Sequence, residues 1–337
     1  MFEVLKGEDF SDLLKGNVAF VLCIGNTKTA EIKGITAAGE NPELIKFTPP
    51  ADAELLYYGK CKTIPFPPVT PDGKPTPAVI TYTALRLLGT PLFVVDSGLI
   101  VKPKTPYTTI NAPVGENIAE RSAMDIERVK ESFEYGRILG REISKAFDVL
   151  MIGESIPAGT TTAGAVLKAM GVDAKVSSSM PKNPVDLKRK VIEKAVSRLK
   201  SGEPLEILAE VGDPVLLGVT SIAVGSKKPV VLAGGTQMAA AAHLISSLGD
   251  GEIHIATTKY IAEDRTADIR SISPVSVVAA DPLLEKSSIY GLRAYGEGFV
   301  KEGVGAGGAT LLAYVKGVEP TRFLKEIEKS YLEIISG

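Results

Sequence analysis

Short apolar runs alternate with longer amphipathic stretches along most of the chain, and this alternation limits the possible folds most strongly. Short apolar runs are typical of buried strands, whereas apolar residues three and four positions apart indicate helices. Strands are predicted at residues 17–24, 91–96, 147–152, 229–232, 253–257 and 274–279. Helices are predicted at residues 78–88, 115–146 (with candidate breaks at Gly136 and Gly140), 160–170, 184–199, 213–224, 235–248 and 302–315. We therefore expect an α/β fold, a three-layer, doubly wound, mainly parallel sheet of the Rossmann-like kind.

A chain of 337 residues is long enough for about two domains, at roughly 150 residues for each. The alternation continues on both sides of the proline-rich segment 63–77, however, so we predict a single domain over residues 1–337. Helices from the N- and C-terminal segments are expected to form a smaller subdomain. The proline-rich segment is either a linker or an ordered loop that borders a site.

Charge and composition exclude several classes of function. With 38 Lys+Arg and 40 Asp+Glu, the formal net charge of −2 leaves no positive excess to bind nucleic acid or an anionic membrane. Cys23 and Cys61 form no CxxC pair, which favours a reduced, cytoplasmic compartment. The first residues do not resemble a secretory signal, and no apolar run approaches the length of about 18 residues that a membrane-spanning helix needs.

Glycine is enriched, at 33 residues of 337, or about 10% where about 7% is typical. Much of it lies where predicted strands end or predicted helices begin, in segments 153–162, 210–214, 234–237 and 302–308. Glycine at the carboxyl ends of parallel strands lets backbone N–H groups approach a ligand, and a helix N-terminus favours an anion. Residues 303–308 match GxGxxG formally, but no clean buried strand precedes them, so we exclude a dinucleotide site there. The clusters together predict a site for a phosphorylated small molecule, although such turns also need glycine for conformational reasons alone.

The most informative segment is 147–164, in which an apolar run leads to Glu154 and a short loop leads to Thr160, Thr161 and Thr162. Threonine hydroxyls, backbone amides and the dipole at a helix start suit a phosphate monoester. The layout is similar to that of phosphoribosyltransferases that use phosphoribosyl pyrophosphate, which carry two adjacent acids at this strand end. The single Glu154 favours instead a ribosyl donor whose leaving group needs no Mg²⁺.

These motifs, in this order, resemble the nicotinate-nucleotide:dimethylbenzimidazole phosphoribosyltransferases, in particular their divergent archaeal relatives. The family's Gly-Glu, loop and Thr-Thr-Ala matches residues 153–163, its Val-Gly-Gly-Pro helix start matches 211–214, its Pro-Val-Leu-Leu-Asp-Gly strand end matches 229–234, its terminal Gly-Glu-Gly-x-Gly-Ala matches 301–306, and the strand end 94–98 also has a counterpart. The resemblance runs from about Pro68 to Val315. Ala233 departs from the pattern where the family has Asp, and Lys301 departs from it where the family has Gly.

The resemblance implies transfer of phosphoribose from nicotinate mononucleotide to a benzimidazole-like base. Nicotinate would be released, and an alpha-ribazole-phosphate-type nucleotide for the lower ligand of cobamides would form. Because the glycosidic nitrogen of this donor is already cationic, we expect neither a metal nor a cofactor. A homodimer is also implied.

The resemblance also assigns the catalytic carboxylates. An azole acceptor must lose a proton as it attacks the sugar, and a carboxylate is the natural general base. That role is implied for Glu302, with Glu297 as the alternative because residues 296–298 also read Gly-Glu-Gly. Glu154 would hold the ribose hydroxyls or stabilise positive charge on the sugar.

The predicted substrate-binding residues share a position at a strand end or a helix start. They are Gly153, Gly159, Thr160, Thr161, Thr162, Gly212, Asp213, Gly234, Gly235, Gly303, Gly305 and Asp96. Two alternatives remain open. One is a phosphoribosyl or nucleotide-processing enzyme with a different donor, and the other is a non-catalytic binder of a phosphorylated metabolite.

Several polar residues are interpreted as structural. His243 is expected in the core or at a cap, and His254 is expected to face away from its isoleucine neighbours. The run Lys188–Lys190 is interpreted as a solvated helix face, and the pair Tyr57–Tyr58 as core or surface packing.

Overall fold

A computed structural model describes residues 1–36, 42–65, 73–178, 180 and 183–336 of the protein. Over these residues the strands are β1 (Phe2–Lys6), β2 (Val18–Ile24), β3 (Leu92–Asp96), β4 (Thr108–Thr109), β5 (Val149–Ser155), β6 (Val230–Ala233), β7 (Ile253–Thr258) and β8 (Val277–Ala280). The helices are α1 (Pro42–Ile45), α2 (Thr48–Tyr58), α3 (Ala78–Leu88), α4 (Ile126–Ile143), α5 (Gly159–Ala169), α6 (Val185–Val196), α7 (Pro204–Val211), α8 (Pro214–Gly225), α9 (Thr236–Leu248), α10 (Lys259–Ala262), α11 (Ile269–Ile272), α12 (Tyr290–Arg293), α13 (Ala306–Val315) and α14 (Pro320–Ser336). Short 3₁₀ helices cover Ser11–Lys15, Lys28–Glu31 and Leu284–Lys286.

The described strands form one sheet in the order β1-β8-β7-β6-β5-β2-β3-β4. Neighbouring strands are parallel, except that β1 runs antiparallel to β8. The chain builds β3 and β4 on one side of β2 and then continues from β5 on its other side. In such doubly wound sheets the ligand crevice opens at the carboxyl ends of the strands where the order reverses. The predicted doubly wound, mainly parallel α/β fold is therefore confirmed.

Both faces of the sheet are buried, which explains why the central strands are almost continuously apolar. Alternate residues of β2 point to opposite faces, so Val21 and Cys23 belong to one apolar cluster and Phe20 and Leu22 belong to another. The first cluster includes buried residues of α4, α5, α8 and α9, and the second includes those of α2, α3, α13 and α14. The three predicted layers follow from this division.

The six predicted strands are present with bounds that shift by up to three residues, whereas one predicted helix is too long. Within residues 115–146 only α4 is helical. Asp125 caps the start of this helix by accepting hydrogen bonds from the Glu127 and Arg128 amides. The helix continues through Gly136 and Gly140 instead of breaking there. A Cβ at Gly136 would collide with the Ser221 side chain, so these glycines allow α4 to pack closely against α8.

The N-terminal segment contributes helices α1 and α2, as predicted, but also the unpredicted edge strand β1. β1 is exposed or half-buried throughout, and it therefore lacks the apolar pattern of the central strands. Among the described helices, none is both long enough and apolar enough to span a bilayer. The organisation of residues 1–337 as a single domain stays a prediction.

Candidate active site

A cleft of about 250 Å³ opens at the carboxyl ends of the central strands. It is lined from β5 by Glu154 and Ser155, from the start of α9 by Gly235 and Gln237, and from the loop before α13 by Glu302. Helix α2 and the segment that leads into α3 contribute Asp52, Thr76 and Pro77. The cleft therefore lies where the topology predicts a ligand site, and it brings together residues far apart in the sequence.

One side of the cleft is built around the start of α5 and a buried lysine. Thr160 and Ser177 line the cleft, and the Lys188 Nζ donates to the Thr160 Oγ1 at 2.9 Å and to the Ser177 carbonyl at 2.6 Å. Ser177 also exchanges a 3.0 Å hydrogen bond with Thr236 at the start of α9. Two helix N-termini and an ammonium group thus converge, an arrangement that favours an anion.

Lys188 is a correction to the interpretation of residues 188–190 as a solvated face, because only 2% of Lys188 is exposed. Burial lowers the pKa of its ammonium group to about 7, and the charge of Lys301 acts in the same direction. The sequence itself indicates that Lys188 lies on the buried side of its helix. Lys188 precedes the buried Val191, Ile192 and Ala195 by three, four and seven residues, so it lies on the apolar stripe of α6.

Glu154 lies at the end of β5 with only 5% of its surface exposed. Its Oε2 accepts a hydrogen bond from the Gln237 Nε2 at 3.0 Å. Burial raises the pKa of Glu154 to about 8, and the nearby carboxylates of Asp213, Glu302 and Asp52 contribute to the increase. At neutral pH this side chain is therefore largely protonated and is able to donate a hydrogen bond as well as to accept one.

Glu302 is held by backbone donors from two elements. Its Oε2 accepts from the Thr258 amide at 2.7 Å, and its Oε1 accepts from the Gly303 and Gly307 amides at 3.1 and 3.2 Å. Burial raises the pKa of Glu302 to about 7, although these amides favour the charged form. The carboxyl group is thus rigidly oriented, lines the cleft and titrates near neutral pH, as a general base requires.

The loop around Glu302 has an unusual backbone, which explains one departure from the family pattern. Lys301 and Val304 have φ values of 46° and 54°, in the left-handed region where glycine is normally favoured. The Lys301 side chain is anchored by a buried ion pair with Asp264 at 2.7 Å. This anchor holds a residue other than glycine in the left-handed conformation at position 301.

Asp52 of α2 is a lining residue that sequence reasoning missed. It is 3% exposed, and its two carboxylate oxygens accept from the Ser155 Oγ at 2.7 Å and the Thr76 Oγ1 at 2.8 Å. Burial raises its pKa to about 6. Buried residues occupy nearly every position of α2, so no polar face marks Asp52 in the sequence.

Among the predicted binding residues, Gly159, Thr160, Gly235 and Gly303 line the cleft together with Glu154 and Glu302. The others make contacts inside the protein. The Thr162 Oγ1 lies 2.5 Å from the Asp213 Oδ2, while the Asp213 Oδ1 caps α8. Thr161 is fully buried, Gly212 ends α7, Gly234 lies beside Met238, and Gly153 lies beside Gly305.

Two further candidates are placed away from the cleft. Asp96 accepts from the Gly98 and Leu99 amides and pairs with Lys102, so it organises the turn after β3. Glu297, the alternative base, is exposed. The assigned roles of all these residues stay predictions. Glu154, Thr160 and Glu302 are the candidates whose side chains line the cleft.

The proline-rich segment borders the cleft through Thr76 and Pro77, while residues 66–72, including Pro68, lie outside the described part of the chain.

Both histidines make structural contacts: His243 hydrogen-bonds the Ile272 carbonyl, and His254 stacks on Phe10. The Tyr57 hydroxyl donates to the Leu92 carbonyl. Among the described residues, no group of three or more His, Cys, Asp or Glu side chains is arranged to hold a metal ion.

The four buried carboxyl groups lead to a pH dependence of stability. Burial raises the pKa of Asp52 and Asp213 to about 6, that of Glu302 to about 7 and that of Glu154 to about 8. Between about pH 5 and pH 7 the folded state therefore binds more protons than the unfolded state. We expect the free energy of unfolding to fall as pH rises through this range. The slope is ~1.4 kcal/mol per pH unit for each proton that the folded state binds in excess of the unfolded state. Urea unfolding measured at several pH values checks this.

Asp213→Asn is expected to flatten the lower part of this dependence, because it removes one of the protons that only the folded state binds. Asp186→Asn is the matched control, since the Asp186 side chain is 85% exposed. A free energy of unfolding that stays constant or rises between pH 5 and pH 7 would contradict the buried, protonated state of these carboxyl groups.

Comparisons with known proteins place the chain in a family. The family model described as Phosphoribosyltransferase (DBI_PRT) matches residues 78–252, more than half of the chain. A UPF0284 protein of Archaeoglobus fulgidus is 66% identical over 332 residues, which cover 98% of each chain. A UPF0284 protein of Saccharolobus solfataricus is 45% identical to this chain, and the alignment covers 96% of this chain and 95% of that protein.

A solved structure shares the fold. The crystal structure of nicotinate-nucleotide-dimethylbenzimidazole phosphoribosyltransferase from Thermus thermophilus aligns with a TM-score of 0.63 and 19% sequence identity. The alignment covers 92% of this chain and 83% of that one. The resemblance inferred from the motifs is thus confirmed for the family and for the fold. The chain belongs to the phosphoribosyltransferase family, together with the archaeal UPF0284 proteins.

Proposed function

We propose that the protein transfers phosphoribose from nicotinate mononucleotide to an azole base and releases nicotinate. The observation that carries this proposal is the juxtaposition, in one cleft, of an anion-binding side at Thr160 and a rigidly held carboxylate, Glu302. The Thermus thermophilus protein with the same fold is a nicotinate-nucleotide-dimethylbenzimidazole phosphoribosyltransferase. The product would be an alpha-ribazole-phosphate-type nucleotide, as in the lower ligand of cobamides.

In this proposal the 5′-phosphate lies at the start of α5, near Thr160 and the backbone of Gly159 and Gly235, with the Lys188 charge directly behind Thr160. The Glu154 carboxyl group, which is largely neutral at pH 7, holds a ribose hydroxyl. The sugar would thus be fixed by both its phosphate and its hydroxyls, with its anomeric carbon towards Glu302. Such fixing supplies much of the rate enhancement in transfer reactions.

The chemical step exchanges one bond at the anomeric carbon for another. A ring nitrogen of the acceptor forms a bond to the anomeric carbon, and the bond from that carbon to the pyridinium nitrogen breaks. The electron pair of the broken bond stays on the pyridine ring, so the ring nitrogen of nicotinate leaves uncharged. The proton of the acceptor N–H passes to Glu302, whose pKa of about 7 matches this task near neutral pH. The homodimer implied by the family stays a prediction.

The test is to incubate the protein with nicotinate mononucleotide and a panel of benzimidazoles, purines and phenols, and to follow nicotinate by mass spectrometry. We expect nicotinate release that depends on an azole base. The release should persist in the presence of a chelator, since the pyridinium nitrogen of the donor leaves as an uncharged ring nitrogen and needs no metal ion. Turnover only with phosphoribosyl pyrophosphate and Mg²⁺ would instead favour a different donor. Calorimetric binding of the mononucleotide without turnover on any base would favour a non-catalytic binder.

A further inference from the structure

The side of the cleft formed by α2 and the segment before α3 carries a buried carboxylate with no assigned role. Asp52 lines the cleft beside Thr76 and Pro77, and only 3% of its surface is exposed. It hydrogen-bonds Ser155, the residue that follows Glu154 in β5. Asp52 therefore lies next to the proposed reaction centre but outside the anion-binding side at Thr160.

The hydrogen bonds of Asp52 leave it able to accept more. A carboxylate has about four acceptor positions, and the Ser155 and Thr76 hydroxyls occupy one on each oxygen. Both of these donors are neutral, and the described residues that line the cleft include no lysine or arginine. A ligand that fills this side of the cleft would thus meet a carboxylate with free acceptor positions and with no cation among the described lining residues.

Asp52 is also close to the proposed general base. Pro77, the residue after the Thr76 that bonds Asp52, has its Cγ 3.4 Å from the position that a Cβ on Gly303 would occupy, and Gly303 follows Glu302. The pKa of the buried Tyr295 phenol is raised well above its ordinary range by burial, with the charges of Asp52 and Glu302 adding to the shift. The Tyr295 hydroxyl donates to the Pro75 carbonyl, one residue before Thr76. An acceptor whose ring nitrogen faces Glu302 is therefore expected to present another edge to Asp52.

Resting on the proposed function, we propose that Asp52 makes this site select an acceptor base with an exocyclic N–H donor, of the aminopurine class. The exocyclic amine would donate to Asp52 while the ring N–H gives its proton to Glu302. A benzimidazole with only hydrocarbon substituents would place methyl groups against the carboxylate and offer no donor to its free acceptor positions. Covering the free acceptor positions of a buried carboxylate with hydrocarbon is costly, and sites of this kind reject analogues that lack the donor.

The test compares kcat/KM for adenine and for 5,6-dimethylbenzimidazole, with nicotinate mononucleotide as donor and nicotinate release as readout. The wild type is expected to prefer adenine on the order of 10-fold or more. Asp52→Leu is expected to abolish or invert this preference, and Asp52→Asn, which preserves shape, is expected to reduce it. Glu54→Gln is the matched control, because Glu54 is a buried acid of the same helix that is bonded to the backbone of Lys62, Thr63 and Lys104.

The outcomes separate the two proposals. A preference for adenine that Asp52→Asn reduces and Glu54→Gln leaves unchanged supports the role of Asp52. Equal or better use of dimethylbenzimidazole by the wild type overturns it while the proposed function stands. Equal loss of activity with both bases in Asp52→Asn also overturns it, since that result indicates a purely structural role. Absence of nicotinate release with every base overturns the proposed function itself, and this inference with it.

Discussion

Glu302→Gln is expected to lower kcat by at least about 10²-fold, with little change in the KM for nicotinate mononucleotide. The physical reason is that a neutral amide cannot take the proton that the acceptor base must lose. Because burial raises the pKa of Glu302 to about 7, the wild-type kcat/KM is expected to rise with pH up to about pH 7. Glu302→Gln is expected to lose this dependence. Both effects are measured by nicotinate release across a pH series.

Two controls separate catalysis from folding in this experiment. Glu297→Gln changes an exposed glutamate of the same loop region and is expected to keep wild-type activity. In Glu302→Gln the new side chain turns an amide N–H₂ towards backbone N–H groups that bond the wild-type carboxylate, so the free energy of unfolding is expected to fall by ~1–3 kcal/mol. Glu302→Asp keeps a carboxylate and is expected to retain partial activity. Full activity in Glu302→Gln together with inactivity in Glu297→Gln would contradict the assignment of the base.

The fold was predictable because hydrophobic burial on both sheet faces leaves a strong signal along the sequence. β2 reads as a continuous apolar run, and β5 does so up to Ile152, since each strand is buried at every position. The edge strand β1 was missed because an exposed edge strand needs no such pattern. The length of the predicted helix at 115–146 was wrong because the polar residues before Asp125 fit a helix and a loop equally well by periodicity alone.

The candidate site was predictable where the chain itself brings the chemistry together. Glu154 and Thr160 are close in sequence, and a strand, a short loop and a helix start fix their separation. Asp52 and Lys188 were missed because only tertiary packing brings α2 to the cleft and places α6 behind Thr160. Lys188 left a trace, a charged residue on the apolar stripe of its helix, that indicates a buried polar partner. Asp52 left none, because its helix is buried on nearly all sides.

Lys188→Met is expected to weaken binding of nicotinate mononucleotide by roughly 10- to 100-fold, the usual range for a charge-assisted hydrogen bond to a phosphate site. Methionine fills similar space but removes the positive charge behind Thr160. Calorimetry is to be carried out with the mononucleotide and with the riboside that lacks the phosphate. The riboside should bind both proteins alike, because the lost charge acts on the phosphate.

The pH dependence of this binding gives a second readout of the same residue. Since burial lowers the pKa of Lys188 to about 7, the ammonium loses its proton as pH rises above that value in the free protein. Affinity of the wild type for the mononucleotide is therefore expected to decrease from pH 7 to pH 9, and Lys188→Met is expected to show a smaller decrease. Lys190→Met is the matched control, because Lys190 lies on the exposed face of the same helix. Unchanged affinity for the mononucleotide in Lys188→Met would contradict a phosphate-binding side at Thr160, because no charge there would then contribute to binding.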